Sequence, residues 1–161
     1  MNGFEIEKAL RKTLGETFKG VFSCDEWKKI PLSKPPAAYV FNTSPSSQDY
    51  GHWCSTFVNK NREAIFFDSF GRSPTELKFD KFLKRHSKSW KYSNVYLQNP
   101  LTAVCGQHVI IFLITVSKKT PSAWLKLFTS DLLVNDELVL ETVNRLYGLN
   151  TSMYPSLNFI M

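Results

Sequence analysis

The sequence predicts one domain, spanning 1–161, that mixes helices and strands, and three stretches carry that prediction. In residues 5–19, Ile6, Leu10, Leu14 and Phe18 recur every four positions, which is one apolar face of a helix. Residues 51–58 and 62–68 are rich in β-branched and aromatic side chains and flank Asn59, Lys60 and Asn61, a turn composition, so they should pair as a hairpin. Residues 109–116 are apolar on every side, and such a run buries itself as either a central helix or a core strand. A chain of 161 residues is long enough to bury a real core, and 13 Phe residues predict that part of it is aromatic.

The other elements follow in chain order. Gly20 stops the first helix. Residues 21–36, with Trp27, three prolines and several lysines, read as an irregular surface segment; 37–43 read as a short strand and 44–49 as a loop. Centring the hairpin turn on Lys60 pairs Val58 with Arg62, Thr56 with Ala64, Cys54 with Phe66 and His52 with Asp68. Opposed Cβ atoms stand about 4.5–5.5 Å apart, so an imidazole and a carboxylate there can hydrogen-bond. A slip of one residue would put them on opposite faces. After Ser69-Phe70-Gly71, the residues Ser73, Pro74 and Glu76 make a capping box for a helix through about Ser87. It turns Leu77, Phe79, Phe82 and Leu83 inward, and Lys78, Lys81, Lys84, Arg85 and Lys88 outward as a basic ridge, with His86 on the exposed side. Residues 92–98 read as a strand, and 121–128 and 136–147 as helices, the last with Leu140, Val143 and Tyr147 on one face and Gly148 as its stop. The tail, 150–161, ends apolar and should pack down or bind something.

Charge and cysteine usage narrow the function. A net charge of +6 draws a globule toward polyanions, nucleic acid above all; a basic surface without a specific partner is the equal alternative. Three cysteines without paired spacing make neither a disulfide framework nor a zinc site and fit a reducing, intracellular compartment. No apolar run reaches the roughly 20 residues of a membrane span, and residues 1–5 do not read as a signal peptide.

The chemistry gathers around Cys105, which opens the apolar run. If that run is a helix, Cys105 sits where unpaired N–H groups and the macrodipole favour a thiolate. A lone cysteine is more often a small core hydrophobe. Its weight rises because His52, Asp68 and Cys105 supply a base, an orienting acid and a nucleophile. Gln98, at a strand end that Pro100 could fold back, is a candidate to share an oxyanion with the Cys105 backbone N–H; a structural buried glutamine is the competing reading. His108, one turn beyond Cys105, reads as a core or supporting residue, and Cys24 and Cys54 as structural. A zinc site from Cys105 and His108 with Cys54 or His52 fits the spacing but ranks far below.

Gly-His-Trp at 51–53, Asp-Ser-Phe-Gly at 68–71 and Gln-x-Pro-x-x-x-x-Cys-Gly at 98–106 resemble the motifs of the adenovirus protease (adenain) family of cysteine peptidases. Phe18-Lys19-Gly20-Val21-Phe22 resembles that family's Phe-x-Gly-Thr-Phe segment, with Val21 for threonine, so the resemblance covers about 18–116. It implies an α+β, papain-like or adenain-type cysteine protease fold, a central mixed sheet with the nucleophile helix packed across it. It also implies an endopeptidase that trims viral capsid and core precursors next to glycine, with Cys105 as nucleophile, His52 as base, Asp68 as orienting acid, Gln98 as oxyanion donor and Trp53 walling the site. The chemistry would need no metal or other cofactor; DNA and a viral peptide would act as activators, DNA on the basic ridge. The protein would be a monomer of the virion and host nucleus, without membrane contact. Two departures matter. Asp68 stands where adenoviral members have Glu, and proteases of ubiquitin-like modifiers use Asp; and residues 87–97 hold no cysteine for a disulfide to an activating peptide. Three functions follow: a maturation protease, a protease of ubiquitin-like conjugates, and a non-catalytic basic DNA-binding module.

Overall fold

The computed structural model describes residues 1–48, 50–118 and 121–154. Helix α1 (Gly3–Leu14) starts on a capping box: the Asn2 side chain accepts the Glu5 N–H and the Glu5 carboxylate accepts the Asn2 N–H. It buries Ile6, Ala9 and Leu10 and ends at Leu14, short of the predicted 5–19 span. Phe18 continues the four-residue spacing but belongs to strand β1 (Phe18–Ser23), so the segment from Val21 to Ser23 is sheet rather than irregular surface. Tertiary pairing with strand β2 (Ala37–Asn42) overrides the local pattern there.

Strands β3 (Trp53–Val58), β4 (Glu63–Asp68) and β5 (Ser89–Tyr92) complete a five-stranded sheet in the order β1-β2-β3-β4-β5. The outer pairs are parallel and the two inner pairs antiparallel, which makes the sheet mixed. The β3–β4 register differs from the predicted one by two residues: Val58 faces Ala64, Thr56 faces Phe66 and Cys54 faces Asp68. The cause is the turn. Asn59 and Glu63 close it around Lys60, Asn61 and Arg62, with Arg62 at φ +64°, a three-residue loop ending in a left-handed residue. A shift of two preserves side-chain parity, so His52 and Asp68 still share a face.

Both faces of the sheet are covered. Ala38, Val40, Phe57 and Phe67 pack against α1 and against helices α3 (Cys105–Lys118) and α5 (Leu132–Tyr147), with Trp124 of α4 (Pro121–Leu125) in the same cluster. Tyr39, Phe41, Cys54 and Phe66 pack on the other face against Phe79, Phe82 and Leu83. The last two belong to α2 (Asp80–His86), which starts later than predicted. The Ser73–Glu76 capping box does form, but Lys78 at φ +64° interrupts the helix after one turn. His86 is also corrected: it is buried, stacked on Phe82 at 4.2 Å between centroids, and burial with nearby Arg85 and Arg62 pushes its pKa down to about 4.

The apolar run 109–116 is helical, as part of α3, whose residues Val109 to Leu113 are all buried. β5 lies earlier than the predicted 92–98 strand, and 93–98 lies outside the sheet without regular structure. α4 is shorter than 121–128, and α5 starts before 136 because Asp131 caps the N–H groups of Leu133 and Val134. Gly148 ends α5 at φ +64°. Of the tail, 155–161 lie outside the described residues; before them, the Met153 carbonyl accepts the Ala103 N–H at 2.8 Å. Among the described residues no helix is long and apolar enough to cross a membrane.

Candidate active site

His52 lies one residue before β3, where its backbone exchanges hydrogen bonds with Thr43: its N–H donates to Thr43 Oγ1 at 3.0 Å and its carbonyl accepts the Thr43 N–H at 2.9 Å. Gly51 precedes it because nothing larger fits: a Cβ there would lie 1.9 Å from Asn42 Oδ1. Asp68 is the last residue of β4 and is fully buried. Its ladder partner is Cys54, so His52 is its diagonal neighbour, and long side chains bridge that distance. His52 Nε2 is hydrogen-bonded to Asp68 Oδ1.

Arg72 completes the carboxylate's surroundings. Gly71, at φ +68°, turns the chain so that Arg72 Nε and its backbone N–H both donate to Asp68 Oδ2, at 2.9 and 3.0 Å. Phe70 stacks on His52 at 4.9 Å between centroids and carries the Arg72 guanidinium 5.4 Å from its ring centre. A buried carboxylate is tolerable when paired in this way. Burial alone would raise the Asp68 pKa, but the hydrogen bonds from His52 and Arg72 prevail and hold it down at about 2.

Cys105 is the first residue of α3 and half-buried. Burial disfavours its thiolate, yet the hydrogen bond and positive charge of His52, with the backbone N–H of Trp53, bring the thiol below its ordinary pKa. The reciprocal shift falls on His52: burial lowers it, and the hydrogen bonds to Asp68 and Cys105 outweigh that and push it up to about 9. With Nε2 given to Asp68, Nδ1 is the nitrogen left for the sulfur. The arrangement favours the thiolate form of Cys105 and the imidazolium form of His52. Cys54 and Cys24 are the contrast, since burial pushes both thiols up.

The remaining predicted residues are placed as follows. Gln98 is buried on the chain leading to α3; its Oε1 accepts from Ser69 Oγ at 2.7 Å and its Nε2 donates to the Thr102 carbonyl at 3.0 Å, so its hydrogen bonds are to these residues and not to Cys105. Trp53 puts its backbone N–H at the sulfur, while its indole donates to the Met1 carbonyl at 3.2 Å and borders a groove of about 710 Å³ lined by Gly3, Val21, Phe22 and Tyr50. Lys78, Lys81, Lys84, Arg85 and Lys88 are all exposed on and beside α2, across the sheet from α3. Lys84 pairs with Asp80 at 3.5 Å, and Arg85 donates to the Lys28 carbonyl. His108 is fully buried with Nε2 2.8 Å from Asp136 Oδ1, and among the described residues no group of three or more His, Cys, Asp or Glu is arranged to hold a metal ion. Sequence reasoning missed Arg72 and Asp136. The first was signalled by its place four residues after Asp68, beyond a turn glycine; nothing local marked the second.

No family model and no curated protein matches the chain. Among solved structures it superposes on the ASFV pS273R protease with a TM-score of 0.57 at 17% identity, over 94% of this chain and 68% of that one. The fold is the one that protease has. ChlaDub1 from Chlamydia trachomatis shares it, with a TM-score of 0.51 at 15% identity over 94% of this chain and 80% of that one. The expected α+β architecture, with the helix that begins at Cys105 packed across a mixed sheet, is therefore present, and at these identities the likeness is one of fold.

Proposed function

We propose that the protein is a cysteine endopeptidase with Cys105 as nucleophile, His52 as base and Asp68 as orienting acid. The observation that carries this reading is the single cluster in which a buried, doubly held carboxylate fixes an imidazole beside a thiol whose pKa is lowered. Cys105 Sγ attacks the scissile carbonyl carbon, and the oxyanion is met by the Cys105 backbone N–H and the Gln98 amide. His52 passes its proton to the leaving amine, giving a thioester. Water, deprotonated by His52, then hydrolyses the thioester and returns the thiolate. The polypeptide substrate lies along the groove beside Trp53.

The motif resemblance supports viral capsid or core precursors cut near glycine as substrates, in the virion and host nucleus, with DNA on the basic ridge and a non-covalent viral peptide as activators. A protease of ubiquitin-like modifiers is the second reading, favoured by aspartate rather than glutamate at 68. The test is a thiol-reactive peptide electrophile ending in Leu-x-Gly-Gly, with and without duplex DNA, with the adduct located by mass spectrometry. Labelling of Cys105 alone, lost in His52→Ala, is the expected result; equal slow labelling of Cys24, Cys54 and Cys105 would remove the assignment. Cleavage of a folded modifier's Gly-Gly terminus without cleavage of short Leu-x-Gly peptides would select the second reading.

A further inference from the structure

Behind the site lies a buried polar network that the proposed chemistry does not use. Two consecutive residues of α5 grip the backbone on either side of Gln98. Asn135 Nδ2 donates to the carbonyl of Leu97 at 3.3 Å, and Asp136 Oδ2 accepts the N–H of Asn99 at 3.0 Å. Both are buried, Asn135 with 1% and Asp136 with 0% exposure. The same Asp136 oxygen takes the Thr102 hydroxyl at 2.7 Å, and Oδ1 takes His108 Nε2 at 2.8 Å. From the opposite side Ser69, the residue after Asp68, holds the Gln98 N–H on its carbonyl and donates its hydroxyl to Gln98 Oε1.

The network gives the amide a direction. The Thr102 hydroxyl has two acceptors for its one hydrogen, Asp136 Oδ2 at 2.7 Å and the Asn99 carbonyl at 2.8 Å, so its lone pairs are left facing Gln98 Nε2 at 3.4 Å, where they can share the amide hydrogen given to the Thr102 carbonyl at 3.0 Å and leave the second hydrogen for an oxyanion. Ser69 donates to Oε1. Ser69 Oγ could rotate to accept from a flipped amide, but the Thr102 carbonyl, which only accepts, would then face Gln98 Oε1, so the flip is disfavoured there. Apolar residues of the same shape in place of both partners of a buried hydrogen bond can be as stable or more so, so stability alone is a weak reason for Asp136 and His108. An oxyanion donor, by contrast, must be held within about 0.5 Å.

We propose that Asp136, acting through Thr102 and braced by Asn135 and His108, is a positioning residue that sets the Gln98 amide for oxyanion stabilisation. This rests on the cysteine-peptidase reading of the site. The test is a set of double-mutant cycles on the full chain, reading kcat and KM on a peptide substrate and, separately, the rate of Cys105 alkylation by iodoacetamide. Thr102→Val, nearly isosteric and without the hydroxyl, and Asp136→Asn should each lower kcat by about ten-fold or more, within the 10²–10³ of a whole oxyanion donor, with KM and alkylation unchanged. Thr102→Ser should restore the rate. In a Gln98→Ala background each should cost less than about two-fold. Thr102→Val leaves Asp136 and its contacts to Asn99 and His108 in place and reports even if Asp136→Asn does not fold. An undiminished cost in the Gln98→Ala background, or Thr102→Ser as slow as Thr102→Val, overturns the proposal alone. Equal hydrolysis by the parent and Cys105→Ala overturns the cysteine-peptidase reading, and the proposal with it.

Discussion

The molecule contains two histidine–aspartate pairs that make the same Nε2-to-carboxylate contact and end in opposite states. In His52–Asp68 the imidazole keeps 15% side-chain exposure and meets a thiol, and the carboxylate's other oxygen is bound by Arg72. The histidine is pushed up to about 9. In His108–Asp136 the imidazole is fully buried, its Nδ1 has no hydrogen-bond partner among the described residues, and the carboxylate is met by a hydroxyl and a backbone N–H. Burial there outweighs the carboxylate and lowers the histidine pKa. The thiol facing the first imidazole and the deeper burial of the second send the two histidine shifts in opposite directions.

The largest expected contrast is between the two histidines. His52→Ala should lower kcat/KM on the order of 10⁴-fold, as removal of a triad base does, while Arg72 still holds the Asp68 carboxylate. His108→Ala should instead keep Cys105 alkylation but lose about 1–3 kcal/mol of stability, because the buried Asp136 carboxyl loses a hydrogen-bond partner. Equal effects on alkylation would erase the distinction.

A sharper test is pH. The folded pKa of His52, about 9, lies above the ordinary 6.5, so its stabilisation is fully present below pH 6.5 and lost as pH rises through about 9. Turnover, which needs the imidazolium to protonate the leaving amine, should fall over the same range. Asp68→Asn removes the carboxylate and should move that alkaline limb toward pH 6.5. An unmoved limb would mean that Asp68 does not hold the proton. The smallest effect belongs to the ridge. Lys81→Ala and Lys88→Ala should leave the unfolding free energy within about 0.5 kcal/mol of the parent. If DNA docks there, each should lower the salt slope of duplex binding by about one, and slopes equal to the parent's would place the contact elsewhere.

Much of this was readable from the chain because parity and capping are local. The hairpin register was wrong by two, yet His52 and Asp68 stayed on one face, since a two-residue error conserves the alternation. The error came from Arg62 adopting a left-handed conformation, which its residue type does not announce; Lys78 shortened α2 in the same way. The helix at Cys105 was one of two open readings of an apolar run, and the fold chose between them. Asp136 was read as the first residue of a helix. Asp131 is the actual cap, which leaves Asp136 on a turn facing the core, where only tertiary contact gives it a partner. His86 looked solvent-facing among lysines, and its ring found Phe82 and Tyr39 instead.

A thiol kept below its ordinary pKa on a half-buried helix end is also an exposed reductant. Peroxide reacts with thiolates, first to sulfenic acid and then beyond repair, while protonated thiols such as Cys24 and Cys54 react slowly. The lowered pKa of Cys105 therefore ties that thiol to the redox poise around it, and the first oxidative lesion falls on the sulfur proposed as the nucleophile.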